Sequence, residues 1–300
     1  MTTPSRLEGL IASELAEPVD PRVAETAAAI AALYPGAARA VLFYGSCLRE
    51  SQLDELMLDF YLIVSSYRAA YDRRWLASVN HLIPPNVFPF AHEGLSAKYA
   101  ILSEADFARL CSIDADNVSV WARFAQPSRL VWAADDAARQ TAVEAVADAP
   151  VTLFALTLPM DDGKGSDVLR LWDSAFALTY RCELRAERSG RGASIVASDP
   201  ARYRQIGEAA LAGPANGPGV GIDRQTAEQR WRRFRRRGKW LSIARLAKAS
   251  FTFAGGIDYL AWKINRHAGT RIVITPWQRR HPLLAAMWLL PRLIASRAVG

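Results

Sequence analysis

The sequence predicts an α+β protein: a small mixed sheet with helices in the first half, followed by a mostly helical region. Two observations carry this. Short apolar runs rich in strand formers, at 40–44, 58–64 and 97–102, alternate with helical patterns in the first half. Beyond the extended piece at 128–132, helical periodicity dominates, interrupted by the breaker-rich AGPANGPGVG at 212–221. A loose boundary is expected near residue 150, giving regions 1–150 and 151–300.

Taken in order, Asp20-Pro21 reads as an N-cap with proline in the first helical turn, and Pro35-Gly36 ends that helix. The run at 40–44 is a strand that breaks at Gly45-Ser46, and LDFYLIV at 58–64 is a second strand. Residues 71–81 look helical, 84–90 read as an irregular proline-rich connection, and 97–102 make a third strand. Helices are expected at 104–111, 117–125, 137–147, near 167–188 and at 224–250. No apolar segment reaches the roughly 20 residues that a membrane-spanning helix needs; residues 281–294 come closest.

Three hundred residues, about half of them apolar, suffice for a substantial core. Cys47, Cys111 and Cys182 are odd in number and widely spaced, which predicts free thiols and not zinc or a disulfide framework. The amino end carries no basic leader with an apolar stretch, so a cytosolic compartment is expected. Of 37 Lys and Arg residues, seven lie between Arg230 and Lys239 without an intervening acid; the remainder balances the 30 Asp and Glu. The net charge of +7 therefore belongs to one local surface suited to phosphate groups.

The chemistry-bearing segment is FYGSCLRESQLDELMLDFYLIV. A strand ends in Gly45-Ser46, and Asp59 follows on the next strand. Glycine lets backbone approach a ligand, amides at the start of a following helix together with the Ser46 hydroxyl can hold phosphate oxygens, and Asp59 can hold Mg2+ against those phosphates. Triphosphate anchoring plus a metal carboxylate is how a nucleotidyl transfer site is assembled. That pattern has a second carboxylate two positions after the first, on the same strand face. Here the position is Tyr61. Asp54, Glu55, Glu93 and Asp116 are the acids considered as replacements.

The ordered set Tyr44-Gly45-Ser46, Leu58-Asp59-Phe60, AKYAILS at 97–103 and RFAQP at 123–127 resembles the mitochondrial-type phosphatidate cytidylyltransferases of the translocator assembly and maintenance family. These form a peripheral-membrane branch of the nucleotidyltransferase superfamily, and the likeness covers roughly residues 35–160. Cys47, Ala100 and Gln126 depart from the family's glycine, glycine and basic residue. The resemblance implies a polymerase-β-like mixed sheet, CTP as substrate, Mg2+ at Asp59, and a lipid phosphate as acceptor. It also implies Lys98 on the nucleotide phosphates and Arg123 on the triphosphate or lipid phosphate, roles suited to a point charge and a forked donor. Spacing alone makes Lys98 an outward-facing strand lysine and Arg123 a helix-surface arginine.

QRWRRFRRRGKW interleaves Trp231, Phe234 and Trp240 with Arg230, Arg233 and Arg237. As a helix it would set cations beside aromatic wedges, which suits an anionic membrane surface. The expectation is a cytoplasmic protein, peripheral on the inner face of the cell membrane, that makes a CDP-lipid and pyrophosphate. Two alternatives stand beside it: an enzyme of the same fold acting on RNA or a small polar acceptor, and a catalytically inactive nucleotide-binding or membrane scaffold. Base specificity and oligomeric state are not set by these residues.

Overall fold

The computed structural model describes residues 5–49, 53, 56–161, 167–182, 191–213, 221–252 and 275–277. The apolar 281–294 stretch, Asp54 and Glu55 lie outside them. Helix α1 (Arg6–Leu15) opens with a complete capping box between Ser5 and Glu8, and α2 (Pro21–Ala32) with the Asp20 cap and Pro21 in its first turn. Strand β1 (Ala38–Tyr44) and strand β2 (Met57–Val64) follow. Two short helices, α3 (Tyr67–Ala70) and α4 (Arg74–Leu82), lead to the hairpin of β3 (Asn86–His92) and β4 (Leu95–Ser103). Next come α5 (Glu104–Cys111), α6 (Trp121–Phe124), β5 (Ser128–Ala133) and α7 (Asp136–Thr157). Helices α8 (Val168–Tyr180), α9 (Arg191–Ser198), α10 (Pro200–Leu211) and α11 (Arg224–Thr252) complete the described chain.

The mixed sheet has the order β3-β4-β2-β1-β5, with β2 and β4 parallel and every other pair antiparallel. The α+β class is therefore as expected. Residues 84–90, read as irregular, instead lead into and form most of β3. Pro89 is tolerated there because β3 is an edge strand paired only with β4, so a missing N–H breaks no second ladder. The helix expected at 71–81 is α4, which begins only at Arg74; α3 lies before it.

Alternation sorts the strands onto two cores. Val41, Phe43, Phe60, Leu62 and Ile101 pack under Val23, Ala27 and Ile30 of α2. On the other face, Leu42, Tyr61, Ile63, Ala100 and Leu102 join a larger core built with α1, α5, α6, α7, α8, α10 and α11. This second core runs from Leu7 to Phe234, and the boundary expected near residue 150 falls inside α7. Pro150 marks the place: it removes one helical hydrogen bond, yet it is buried between Ala149 and Leu153, and packing carries the helix past it. The segment Asp136–Met160 is long and apolar enough to cross a membrane, with mean hydropathy 1.4; 67% of that window is buried, as in a core helix.

Two glycines set how closely the helices approach. A Cβ on Gly207 would lie 2.4 Å from Val168 and 2.7 Å from the Trp172 indole nitrogen, whose N–H donates to the Tyr203 carbonyl. A Cβ on Gly238 would lie 2.1 Å from the Cys182 carbonyl oxygen, so α11 closes on the end of α8 only through glycine.

Glu14 and Arg202 form a bidentate pair, Nε to Oε2 at 2.6 Å and Nη2 to Oε1 at 3.1 Å, with side chains only 8% and 10% exposed. Arg202 also donates to the Ala125 carbonyl at 2.9 Å, and Glu14 accepts from the Ser128 amide. Four segments thus meet at one buried charge pair. Glu14→Ala leaves Arg202 buried without its counter-charge and is expected to cost about 3–5 kcal/mol in urea denaturation, whereas Glu14→Leu/Arg202→Met should recover most of that loss.

Candidate functional site

The site is built where β1 ends beside β2. Tyr44 pairs with Asp59 across the antiparallel ladder, and Asp59 pairs with Lys98 across the parallel one. Alternation puts Asp59 on the face of Tyr61 and Ile63, and Lys98 on the face of Ala100 and Leu102. Their side chains are neighbours: Lys98 Nζ lies 2.9 Å from Asp59 Oδ1, and both are partly exposed. The expected outward-facing lysine is thus an ion-paired one.

Gly45 turns the chain out of β1 at φ +99°, a region L side chains rarely adopt. A Cβ there would lie 3.4 Å from Asp59 Oδ2, in ordinary contact with the carboxylate, so it is the positive φ and not the space that calls for glycine. Ser46 begins a single 3-10 turn, Ser46–Arg49, and Gly45 and Ser46 are both exposed. The helix expected after Gly45-Ser46 is only this turn, too short to develop an appreciable macrodipole. What remains for an anion is its amides and the Ser46 hydroxyl. Cys47, where the resembled family has glycine, is buried and donates its S–H to the Met57 carbonyl; burial, with Asp59 nearby, pushes its thiol pKa up. It is a packing residue that fastens the turn to β2. All three cysteines are free and buried.

Tyr61, at the position of the missing carboxylate, is 3% exposed. Its ring lies 5.2 Å from those of Tyr44 and Phe124, and Phe124 in turn meets Phe107 at 4.9 Å. Ala100 stands beside Tyr61 in the β2–β4 register, a small residue next to a large ring. These aromatics form the apolar floor beneath Asp59, and the alternation from Leu42 to Tyr44 was the signal that could have found it.

Phe124 brings α6 over the same face, and with it Arg123, whose guanidinium donates to the Ser119 carbonyl. Gln126 donates to the Ala122 carbonyl. Of the acids considered as second ligands, Glu93 sits at the exposed β3–β4 turn, and Asp116 is held by Arg237 at 2.7 Å and Arg109 at 3.8 Å.

No protein-family model matches this sequence, and no curated protein matches it.

Among the described residues no group of three or more His, Cys, Asp and Glu side chains is placed to hold a metal ion. Asp59 is one carboxylate and already meets a lysine. Mg2+ is often held by one or two carboxylates plus substrate phosphates. Asp59 therefore fits a cation that takes most of its ligands from a nucleotide.

On α11 the aromatics expected at a membrane are divided. Trp231 and Phe234 are each 2% exposed; the Trp231 indole donates to the Leu156 carbonyl and stacks edge-on with Trp121. With Ala227 and Gly238 they make the buried stripe of the helix, so their expected membrane role is corrected to a core one. Arg230 donates to the Ile113 carbonyl, and Arg237 to Asp116. Arg232, Arg233, Arg235, Arg236 and Lys239 are exposed, and Trp240 is 74% exposed.

Gly45→Ala must hold an L side chain at positive φ and set a methyl against the Asp59 carboxylate; it is expected to lower stability by about 1–3 kcal/mol in thermal or urea denaturation.

Proposed function

We propose that the chain is a nucleotidyltransferase that passes CMP from CTP to a lipid phosphate, releasing pyrophosphate and a CDP-lipid. The observation that carries this is the convergence of Gly45, Asp59 and Lys98 at the end of β1, where three adjacent strands bring together an exposed glycine and two partly exposed charges. The polymerase-β-like fold, the choice of CTP and the lipid acceptor rest on the resemblance of the motifs at 44–46, 58–60, 97–103 and 123–127.

In this reading the amides and hydroxyl at Ser46 receive phosphate oxygens beside the open backbone of Gly45. Lys98 neutralises charge on the triphosphate, and Arg123 meets the triphosphate or the acceptor phosphate. Bound Mg2+, with Asp59 as its protein ligand, would neutralise charge on the phosphates as pyrophosphate leaves. An acceptor phosphate is already anionic: its oxygen forms the new bond to the α-phosphorus as the bond to the β-phosphate bridge breaks. The protein need not supply a general base.

The exposed face of α11 supports a second part of the proposal, contact with an anionic bilayer. Arg232, Arg233 and Arg236 present charge on a helix whose apolar stripe is already used, so attraction is electrostatic, with Trp240 as the aromatic available to the headgroups.

The burial of Tyr61 favours one competing reading, a nucleotide-binding protein without transferase activity. Incubating the protein with Mg2+, labelled CTP and micelles of phosphatidate, sphingoid phosphate or isoprenoid phosphate separates the two. CDP-lipid is expected from one acceptor, and Asp59→Ala should lower its formation by about 100- to 1000-fold. CTP binding with no product from any lipid would favour the inactive reading. In liposome flotation, each of Arg232→Ala, Arg233→Ala and Arg236→Ala should weaken binding to anionic vesicles by about 1 kcal/mol at low salt, while neutral vesicles should bind none of the forms.

A further inference from the structure

The Asp59–Lys98 pair has a bearing on how a cation reaches the site, and this inference rests on the nucleotide reading above. The two residues are held opposite one another by the β2–β4 register, not by the chance meeting of two surface rotamers. Tyr61 places a ring of the aromatic floor where a second acid would add charge, and Asp116 is committed to Arg237 and Arg109. The pair is thus close to neutral. Among the described residues, a free divalent cation approaching Asp59 would have to displace an ammonium 2.9 Å away and shed hydration in exchange for one carboxylate.

A triphosphate changes that balance. It supplies oxygens for the cation, and it offers the lysine another anionic partner. Lysine suits the exchange, being a compact charge with three donors on a flexible stem that can move by rotamer change alone. We propose that Lys98 is a built-in counter-ion that denies Asp59 to free divalent cations, so that the cation enters only with a triphosphate and Lys98 passes from the carboxylate to a phosphate oxygen.

The probe is Mn2+, followed by the loss of its free electron paramagnetic resonance signal, alone and with the non-hydrolysable α,β-methylene analogue of CTP. The forms are wild type, Lys98→Met, and Lys98→Met/Asp59→Asn, with Lys98→Gln as a second variant and thermal denaturation to verify folding. Wild type should bind Mn2+ weakly alone and at least about tenfold more tightly with the analogue, a difference of about 1.4 kcal/mol. Lys98→Met should gain about tenfold in affinity for Mn2+ alone, and the added Asp59→Asn should remove the gain. Equal Mn2+ affinity in wild type with and without the analogue, or no gain on replacing Lys98 in either variant, would overturn the proposal. If the analogue binds to no form, the nucleotide reading and the delivery step fall together, while a gain of Mn2+ in Lys98→Met would still support the counter-ion.

Discussion

Strand β2 is held on both sides and both faces, and a shift of one residue in its register would exchange the two faces. Leu58, Phe60 and Leu62 would leave the core beneath α2, while Tyr61 and Ile63 would leave the helical core opposite. Asp59 is carried by the same alternation. Its position beside Gly45 on one strand and Lys98 on another is therefore enforced by apolar burial several residues away, and the polar corner itself need contribute little to holding that geometry. The parallel β2–β4 pairing requires a long crossover, which α3, α4 and β3 supply.

The helical layer stabilises the corner from beneath. Phe124 bridges α6 to Tyr61 and Tyr44, and α6 is in turn tied to α10 through the Ala125 carbonyl and Arg202. Residues remote in sequence thus converge behind Asp59 without touching it. The larger of the two cores runs through residue 150 without interruption, because α7 lends its length to both the sheet and the later helices.

Much of the sheet was legible in the sequence, because strands of apolar residues declare themselves locally; Asp59 and Lys98 stand on such strands, and Gly45 and Ser46 mark where one ends. Where tertiary context decided, local reading failed. β3 was obscured by Pro89, acceptable only because the strand lies at an edge. The arginines that flank Trp231 and Phe234 suggest an interface locally, although the spacing of these two with Ala227 and Gly238 describes a buried stripe. The lysine's partner was invisible, since the β2–β4 register depends on residues far apart in the chain. So was the Glu14–Arg202 pair.

That last pair joins residues 188 positions apart. During synthesis, at roughly 5–20 residues per second, the wait between emergence of Glu14 and of Arg202 is roughly 10–40 s. Through that interval α1 has neither its ionic partner nor the α10 surface it packs against, and Leu7, Ile11 and Leu15 lack part of the cover they have in the finished molecule. The beginning of this chain consequently reaches its final packing late, and a nascent protein stalled before residue 202 would hold α1 on α7 and β5 alone, with the side that meets α10 uncovered.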